Sequence, residues 1–268
     1  MKRSVHSLLG VGLVGALLVV VLLGLVWLPY DPLAIDLDHT LAAPSLAHWL
    51  GTDEFGRDVA SRAMLGARIS LLIAIQTVAI SIVIGTALGL VVGFLRGWTE
   101  RVIMTFSDAL LAFPGILLAL ALIAVIGSSR HSIVIALAVA YLPATIRVVR
   151  GSVISIRERE YVEASRVAGD SALYTMWRIV LPNALPPILV LATSLFGWVI
   201  LSESALSFLG VGVPPPLPTW GNMLSSARPY MYAASWLSIA PGLCIVATLL
   251  GINMLGDALR DRLDPRDE

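Results

Sequence analysis

The sequence has few charged residues and almost no cysteine. Lysine, arginine, aspartate and glutamate together make up 13% of the 268 residues, whereas a soluble domain carries roughly 25%. So small a charged fraction excludes a soluble enzyme, a nucleic-acid-binding protein and a disordered chain. Acidic and basic residues both number 18, so the net charge says nothing about partners. The single cysteine, Cys244, lies in an apolar run and is expected to be a small buried side chain.

The common motifs of nucleotide-binding and catalytic sites are also missing. The sequence has no Gly-x4-Gly-Lys-Ser/Thr phosphate loop, no His-Glu-x2-His zinc motif and no Gly-x-Ser-x-Gly elbow. We therefore expect no catalytic residues, no cofactor, no resident metal and no enzymatic activity. His39 and His48 share a segment with several aspartates, which could hold a divalent ion transiently. An ordinary solvated acidic loop is the favoured interpretation of that segment.

Long apolar runs dominate the sequence instead. Hydrophobic residues make up 57% of the chain, and the mean hydropathy is +0.88. A helix needs about 20 apolar residues to cross a bilayer. Six runs approach that length: Leu8–Leu28, Ile69–Phe94, Ala109–Ile126, Ser132–Ile146, Ile188–Phe208 and Trp236–Gly256. They predict an all-α polytopic membrane protein with about six transmembrane helices, the first of them a retained anchor.

The basic residues predict the orientation of these helices. With the N-terminus inside, thirteen of the eighteen basic residues fall on the cytoplasmic side, as the positive-inside rule requires. Both termini are then cytoplasmic. The external segments are 29–68, 127–131 and 210–235, and 147–187 is a long internal segment. Four aromatic residues that flank the last external segment are predicted to form an interfacial belt: Trp220, Tyr230, Tyr232 and Trp236.

Small and polar residues mark positions of interest within the runs. Gly85, Gly89 and Gly93 repeat every fourth residue, which favours close approach of another helix. Glu203 lies in the fifth run, where an ionisable group is costly and is a functional candidate by default. Glu203 and Gln76 are therefore predicted either to line a translocation path or to hold helices together. Proline residues in three runs favour kinks: Pro114, Pro143 and Pro241.

The internal segment is patterned as two short helices with a sharp elbow. Ser155–Glu158 reads as a capping box that starts a helix over 159–168. Gly169 suits the left-handed position that ends such a helix. Asp170 or Ser171 would cap a second helix over 172–181, which Pro182 would end. One face of the first helix would carry Tyr161, Ser165 and Ala168, and one face of the second Leu173, Trp177 and Val180. An interfacial helix pair on the lipid surface is the alternative.

The same segment resembles the EAA motif of ABC-importer permeases. That motif has the form Glu-Ala-Ala-x3-Gly-x9-Ile-x-Leu-Pro. The matching residues are Glu163, Ala164, Ser165, Gly169, Ile179, Leu181 and Pro182, with Ser165 in place of the second alanine. The resemblance implies that these residues, together with Tyr161, form a coupling helix that docks in a cleft of an ATP-binding subunit. It implies the type I ABC importer permease fold.

Further segments resemble the peptide/nickel group of these permeases, and within it the C-type subunit. They are 48–58 with its Gly-Thr-Asp, 206–210, Trp220-Gly221 and the tail 256–265 with its Leu-Asp-Pro. Residues 28–37 look close to the nickel permease, but dipeptide, oligopeptide and glutathione permeases share much of this pattern.

The resemblance implies a set of partners and a division of the chain. The partners are a second homologous permease, two ATP-binding subunits and an extracytoplasmic solute-binding protein, in the cytoplasmic membrane of a bacterium or archaeon. Residues 1–68 would be an anchor helix with an external loop, and 69–268 the core, with a coupling loop at 151–187. A secondary transporter is the alternative, although it should show internal repeats that are not visible here.

Overall fold

The structure, a computed structural model, describes residues 5–263 and is helical almost throughout. Within that range there is no strand, only an isolated bridge between Thr52 and Asp58. The α-helices are α1 Val5–Val26, α2 Val59–Leu95, α3 Trp98–Leu111, α4 Gly115–Ile126, α5 Arg130–Arg157, α6 Glu160–Val167, α7 Ala172–Tyr174, α8 Leu181–Phe208, α9 Trp220–Ala227 and α10 Trp236–Leu263. Lys2, Arg3, Arg266 and the Asp264-Pro265 dipeptide of the tail motif lie outside the described residues.

Five helices in the described part of the chain are long and apolar enough to cross a membrane, and a sixth candidate is broken. The five are α1, α2, α5, α10 and a continuous helix over Ala172–Phe208. The third predicted run is wrong as a straight helix, because α3 and α4 meet at 91°. Pro114 lies between them with extended backbone, and a proline disfavours helical geometry at the residue before it. Only the 12 residues of α4 continue the apolar run.

Helix α5 is longer than the fourth run predicts. It begins after Ser129, whose side chain accepts from the Ser132 N–H, and continues through Pro143 to Arg157. The predicted capping box at Ser155–Glu158 is therefore wrong, since Ser155 belongs to the last turn of α5. Two valines of α5 are fully buried in this stretch, Val149 and Val153. Their packing keeps the chain helical past the point where the local motif would restart it.

The seam between α2 and α5 is a close helix contact in the membrane region. A Cβ atom added at Gly85 would lie 2.5 Å from Thr145 Cγ2, and one added at Gly89 would lie 2.7 Å from Val149 Cβ. At Gly93 the added atom would lie 2.8 Å from Val153 Cβ. The predicted glycine face is confirmed, because only glycine leaves room for α5 at these three positions.

The external loop ends ten residues earlier than predicted, because α2 begins at Val59 rather than near residue 68. The Asp58 carboxylate caps α2 by accepting from the Ser61 N–H at 2.8 Å. The predicted aromatic belt is wrong for Trp220, which is fully buried and donates from Nε1 to the Ala63 carbonyl at 3.1 Å. By contrast, the Tyr232 side chain is fully exposed.

Candidate coupling surface and polar sites

The internal segment forms a sharp elbow after α6. Gly169 has φ of +88°, a left-handed conformation that glycine adopts without steric cost. The Gly169 N–H donates to the Arg166 carbonyl at 3.0 Å, and the Asp170 N–H donates to the Ser165 carbonyl at 3.1 Å. This pair of bonds is the Schellman arrangement. It fixes the direction in which the chain leaves α6.

Ser165 holds the elbow together from the inside. Its hydroxyl donates to Asp170 Oδ2 at 2.7 Å and lies 3.0 Å from Thr175 Oγ1. Its side chain is buried, with an exposed fraction of 7%. An alanine at this position would fill the space but would make neither hydrogen bond. The departure from the motif therefore adds a polar tie between α6 and the chain beyond the elbow.

The second arm of the elbow runs directly into α8. Ser171 caps it by accepting from the Tyr174 N–H at 3.2 Å, and a π-helical turn over Thr175–Val180 follows. The Leu181 N–H bonds to the Met176 carbonyl, five residues back. The prediction that Pro182 ends the helix is wrong. The π turn shifts the backbone pairing just before Pro182, and proline is tolerated in the first turn of the α-helical register that follows.

The residues of each predicted face differ in burial. Val162 and Ser165 face the protein, whereas Tyr161 is 46% exposed and Ala168 is also exposed. In the second arm Val180 is buried, although the other two members of its predicted face are exposed. The exposed apolar side chains of the elbow are Tyr161, Val167, Leu173, Tyr174 and Trp177. We call these five residues, with the exposed Glu163 and Ala164, the coupling surface.

A small apolar cluster connects the coupling surface to the membrane helices. Val162 has no exposed surface and packs in one cluster with Phe94 of α2 and Val149 of α5. Met176 and Val180 of the second arm belong to the same cluster. The elbow is therefore fixed to the C-terminal ends of α2 and α5 by buried side chains, while the coupling surface is exposed.

Glu203 lies in a cluster of hydrogen-bonding groups near the end of α8 that is distant from the elbow. Its side chain is 1% exposed, and Oε1 accepts from the Ser207 hydroxyl at 2.8 Å. The Ser70 hydroxyl of α2 lies 3.5 Å from Oε2 and accepts from the Trp220 N–H of α9 at 3.2 Å. No arginine or lysine of the described chain pairs with Glu203. These contacts favour a helix-packing role, because they join α2, α8 and α9 around one carboxyl group.

Gln76 is separate from Glu203. It lies on α2 six residues after Ser70, about 9 Å along the helix axis. Its Oε1 is 3.5 Å from Arg130 Nη2, at the start of α5. Both side chains are half-buried, and Arg130 Nε is buried without a hydrogen-bond partner. The structure therefore does not bring the two predicted path residues together, and it adds Arg130 beside Gln76.

The acidic residues of the loop before α2 pair with other residues of the same segment. Asp36 Oδ2 lies 2.8 Å from His39 Nδ1, and this hydrogen bond lowers the pKa of Asp36. His48 Nδ1 lies 3.0 Å from the buried Asp58, and Asp53 lies 2.7 Å from Arg57 Nε. Across the residues that the structure covers, no group of three potential metal ligands comes together. The loop is a folded unit held by hydrogen bonds and an Arg57–Asp53 ion pair between residues near in sequence.

Two ion pairs that sequence reasoning missed hold α3 against α5. Arg147 Nη2 lies 2.7 Å from Asp108 Oδ1, and Arg150 Nε lies 2.8 Å from Glu100 Oε1. The partners are 39 and 50 residues apart, so no local spacing indicates them. The only available signal is that α3 has acidic residues on the same side of the membrane as the arginine-rich end of α5.

Comparison with known proteins agrees with this architecture. Residues 85–267 match the family described as "Binding-protein-dependent transport system inner membrane component". The di/tripeptide permease DppC of Pseudomonas aeruginosa is 46% identical over 244 residues, covering 89% of this chain and 80% of the relative. The glutathione permease GsiD of Pectobacterium atrosepticum is 43% identical over 240 residues, with the same coverage of both chains.

The fold also matches a solved transporter. A chain of the MetNI methionine ABC transporter, in an inward-facing conformation, superimposes with a TM-score of 0.64 at 18% identity. The match covers 76% of this chain and 96% of that one, and it shows the type I permease fold. These matches support the importer and not the secondary transporter. The chain thus belongs to the inner-membrane components of binding-protein-dependent transport systems, as a multi-pass permease of an ABC importer that works with ATP-binding subunits.

Proposed function

We propose that this permease carries peptides, as one of two homologous subunits that form the translocation path. Relatives at 41–46% identity are named for transport of dipeptides, tripeptides, glutathione or other peptides, and they match over most of this chain. Di- or oligopeptides are therefore the favoured solutes over a nickel chelate. An extracytoplasmic solute-binding protein would deliver the peptide, and two ATP-binding subunits would supply the energy. The permease itself would catalyse no reaction.

The coupling surface is the observation that supports the role of the ATP-binding subunits in this proposal. Five exposed apolar side chains at the end of an otherwise well-packed elbow are typical of a protein interface. We assign docking on an ATP-binding subunit to Tyr161, Glu163 and Ala164. Ser165 and Gly169 would keep the elbow in shape. Ile179, Leu181 and Pro182 would transmit the movement, because they lie where the second arm continues into α8.

We propose that both termini and the coupling surface are cytoplasmic. Support comes from the thirteen-to-five distribution of basic residues and from the position of the elbow beside the ends of α2 and α5. Within the chain, residues 1–68 would anchor the subunit and shape its external face, and 69–268 would form the core with its coupling loop at 151–187. The external loop in this division ends at Asp58, since α2 begins at Val59.

The translocation path would pass Gln76 and Arg130. A half-buried guanidinium with no carboxylate partner in the described chain is an attractive contact for the carboxylate of a peptide. Glu203 would support the path from behind by holding α9 on α2 and α8. One subunit offers few such groups, and a peptide needs several to replace its lost water. Affinity would therefore come from the binding protein, and the second permease would complete the path.

Uptake by the complete importer tests the solute class. The two permeases and two ATP-binding subunits would be reconstituted in liposomes with the binding protein, and labelled dipeptide, glutathione and nickel salt would be offered in turn. We expect ATP-dependent uptake of dipeptide or glutathione and none of nickel. Arg130→Gln should slow peptide uptake, whereas Arg101→Gln on the exposed side of α3 should not. Uptake of nickel without uptake of any peptide would overturn the proposal.

A further inference from the structure

Two arginines share one aromatic ring at the base of the elbow. The guanidinium carbon of Arg157, at the end of α5, lies 5.8 Å from the centre of the Phe94 ring. The guanidinium carbon of Arg166, in α6, lies 5.6 Å from the same centre. Phe94 is almost fully buried at the end of α2. The ends of α2 and α5 and the helix α6 therefore meet at this ring, where two positive charges lie close together. The coupling movement must keep these three elements together.

These two arginines have no internal counterion. Two other arginines of α5, Arg147 and Arg150, each reach a carboxylate of α3. Neither Arg157 nor Arg166 has a carboxylate within 4.0 Å in the described chain, and Arg157 Nη1 is buried without a partner. Arg96 lies just beyond α2 and pairs with Glu158 at 3.3 Å. The cluster thus holds three positive charges and one negative charge. The arginines repel one another, and a bound anion would reduce that repulsion.

The surroundings place this cluster beside lipid. Leu95 and Trp98 flank Arg96 in the sequence, and their side chains are 55% and 73% exposed. A large exposed apolar side chain next to an exposed tryptophan is typical of the membrane interface. The coupling surface extends over both arms of the elbow, through Tyr161 of α6 and Trp177 beyond it, whereas Trp98 belongs to α3 and lies outside that surface. An anion that reaches Arg157 from the side of Trp98 would come from the bilayer.

We propose that Arg157, Arg166 and Arg96 bind the phosphate of an anionic lipid headgroup in the cytoplasmic leaflet. The inference rests on the cytoplasmic orientation of the elbow in the proposed function. A phosphate oxygen would accept from the guanidinium groups of Arg157 and Arg166, so that one anion reduces the repulsion between the two charges. The lipid would then tie α6 to the ends of α2 and α5. The importer would couple ATP hydrolysis to transport more tightly in anionic membranes than in neutral ones.

The test uses the complete importer in nanodiscs of two compositions, phosphatidylcholine alone or mixed with phosphatidylglycerol. Native mass spectrometry measures retained phosphatidylglycerol, and the ATPase assay measures stimulation by loaded binding protein. Each arginine at an anionic surface contributes a factor of about five, so the double variant R157Q/R166Q should retain the lipid roughly 30-fold less. It should also lose the stimulation by phosphatidylglycerol. The control R101Q removes an exposed cytoplasmic arginine outside the cluster and should behave as wild type.

Three results would overturn the proposal. One is equal retention of phosphatidylglycerol by wild type and R157Q/R166Q. Another is stimulation of wild type in phosphatidylcholine by inorganic phosphate, which would assign the site to a free anion. The third is an equal loss of ATPase by R157Q/R166Q in both bilayers, which would assign the arginines to the ATP-binding subunit. Lipid retention needs no transported solute, so a failed peptide assay leaves this test intact.

Discussion

Replacing Gly169 by valine would change the direction of the elbow without a steric clash. A Cβ atom added at Gly169 meets nothing within 4 Å, so the cost of the substitution comes from φ of +88° alone. A left-handed conformation costs a residue with a side chain about 1–2 kcal/mol, and a β-branched residue lies at the upper end of that range. A cost of about 2 kcal/mol reduces the population of the native elbow roughly 30-fold relative to its alternatives.

The loss would be local, because only two backbone bonds define the elbow. They run from Gly169 to the Arg166 carbonyl and from Asp170 to the Ser165 carbonyl. Gly169→Val should abolish peptide uptake and uncouple the ATPase, while the protein still assembles in the membrane. Hydrogen exchange should show faster exchange of the Gly169 and Asp170 amides, and those of α2 should not change.

The matched control is Gly169→Asn, because asparagine tolerates the left-handed region best among residues with a side chain. Its uptake should stay close to wild type. Wild-type uptake and unchanged amide exchange in Gly169→Val would refute the reasoning, since the backbone would then pass the elbow without needing glycine. A loss of both uptake and membrane assembly would show a general folding defect and would also contradict the local effect.

Three further perturbations test other parts of the structure. Gly89→Leu should lower the melting temperature in detergent, because it separates α2 from α5. The control Gly12→Leu, at a position with no neighbour within 4 Å, should leave it unchanged. Equal melting temperatures of the two variants would contradict the close contact between α2 and α5. Glu203→Ala should destabilise the permease by about 1–3 kcal/mol, because it leaves buried hydroxyl groups without a partner. Glu203→Gln should lose less stability and keep the same solute selection. A larger loss of stability in Glu203→Gln than in Glu203→Ala would refute the packing role. In a cysteine-free background, cysteine at Ser45 should react with an impermeant thiol reagent from outside and cysteine at Ala172 should not; the opposite pattern would invert the orientation.

Local patterns predict those features whose partners lie close in sequence. Gly169 and Ser171 define the elbow because left-handed geometry and capping depend on a few neighbouring residues. The glycine repeat at Gly85, Gly89 and Gly93 predicts a contact face because every fourth residue lies on one side of a helix. In both cases the residue type itself carries the physical requirement, so a single sequence is sufficient.

Features that depend on distant partners are not predictable in this way. Ser70 is 133 residues from Glu203, and the burial of Trp220 follows from its bond to Ala63 across 157 residues. The capping motif at Ser155 does not start a new helix, because the packing of buried valines continues α5 through it. Burial along a helix of two turns is also hard to predict from spacing: Tyr161 and Ser165 lie four residues apart, yet Ser165 is buried and Tyr161 is exposed.

The continuous helix over Ala172–Phe208 transmits movement along its length and bends most easily in its first half. Its 37 residues correspond to about 55 Å, so a tilt of about 5° at the elbow displaces the far end by roughly 5 Å. Three prolines in the first half of this helix lack the N–H that an unbroken series of helical hydrogen bonds needs: Pro182, Pro186 and Pro187. Bending would concentrate there and in the π turn below. The upper part, stiff and joined through Glu203 to α9, would carry a small stroke at the coupling surface to the external face of the membrane.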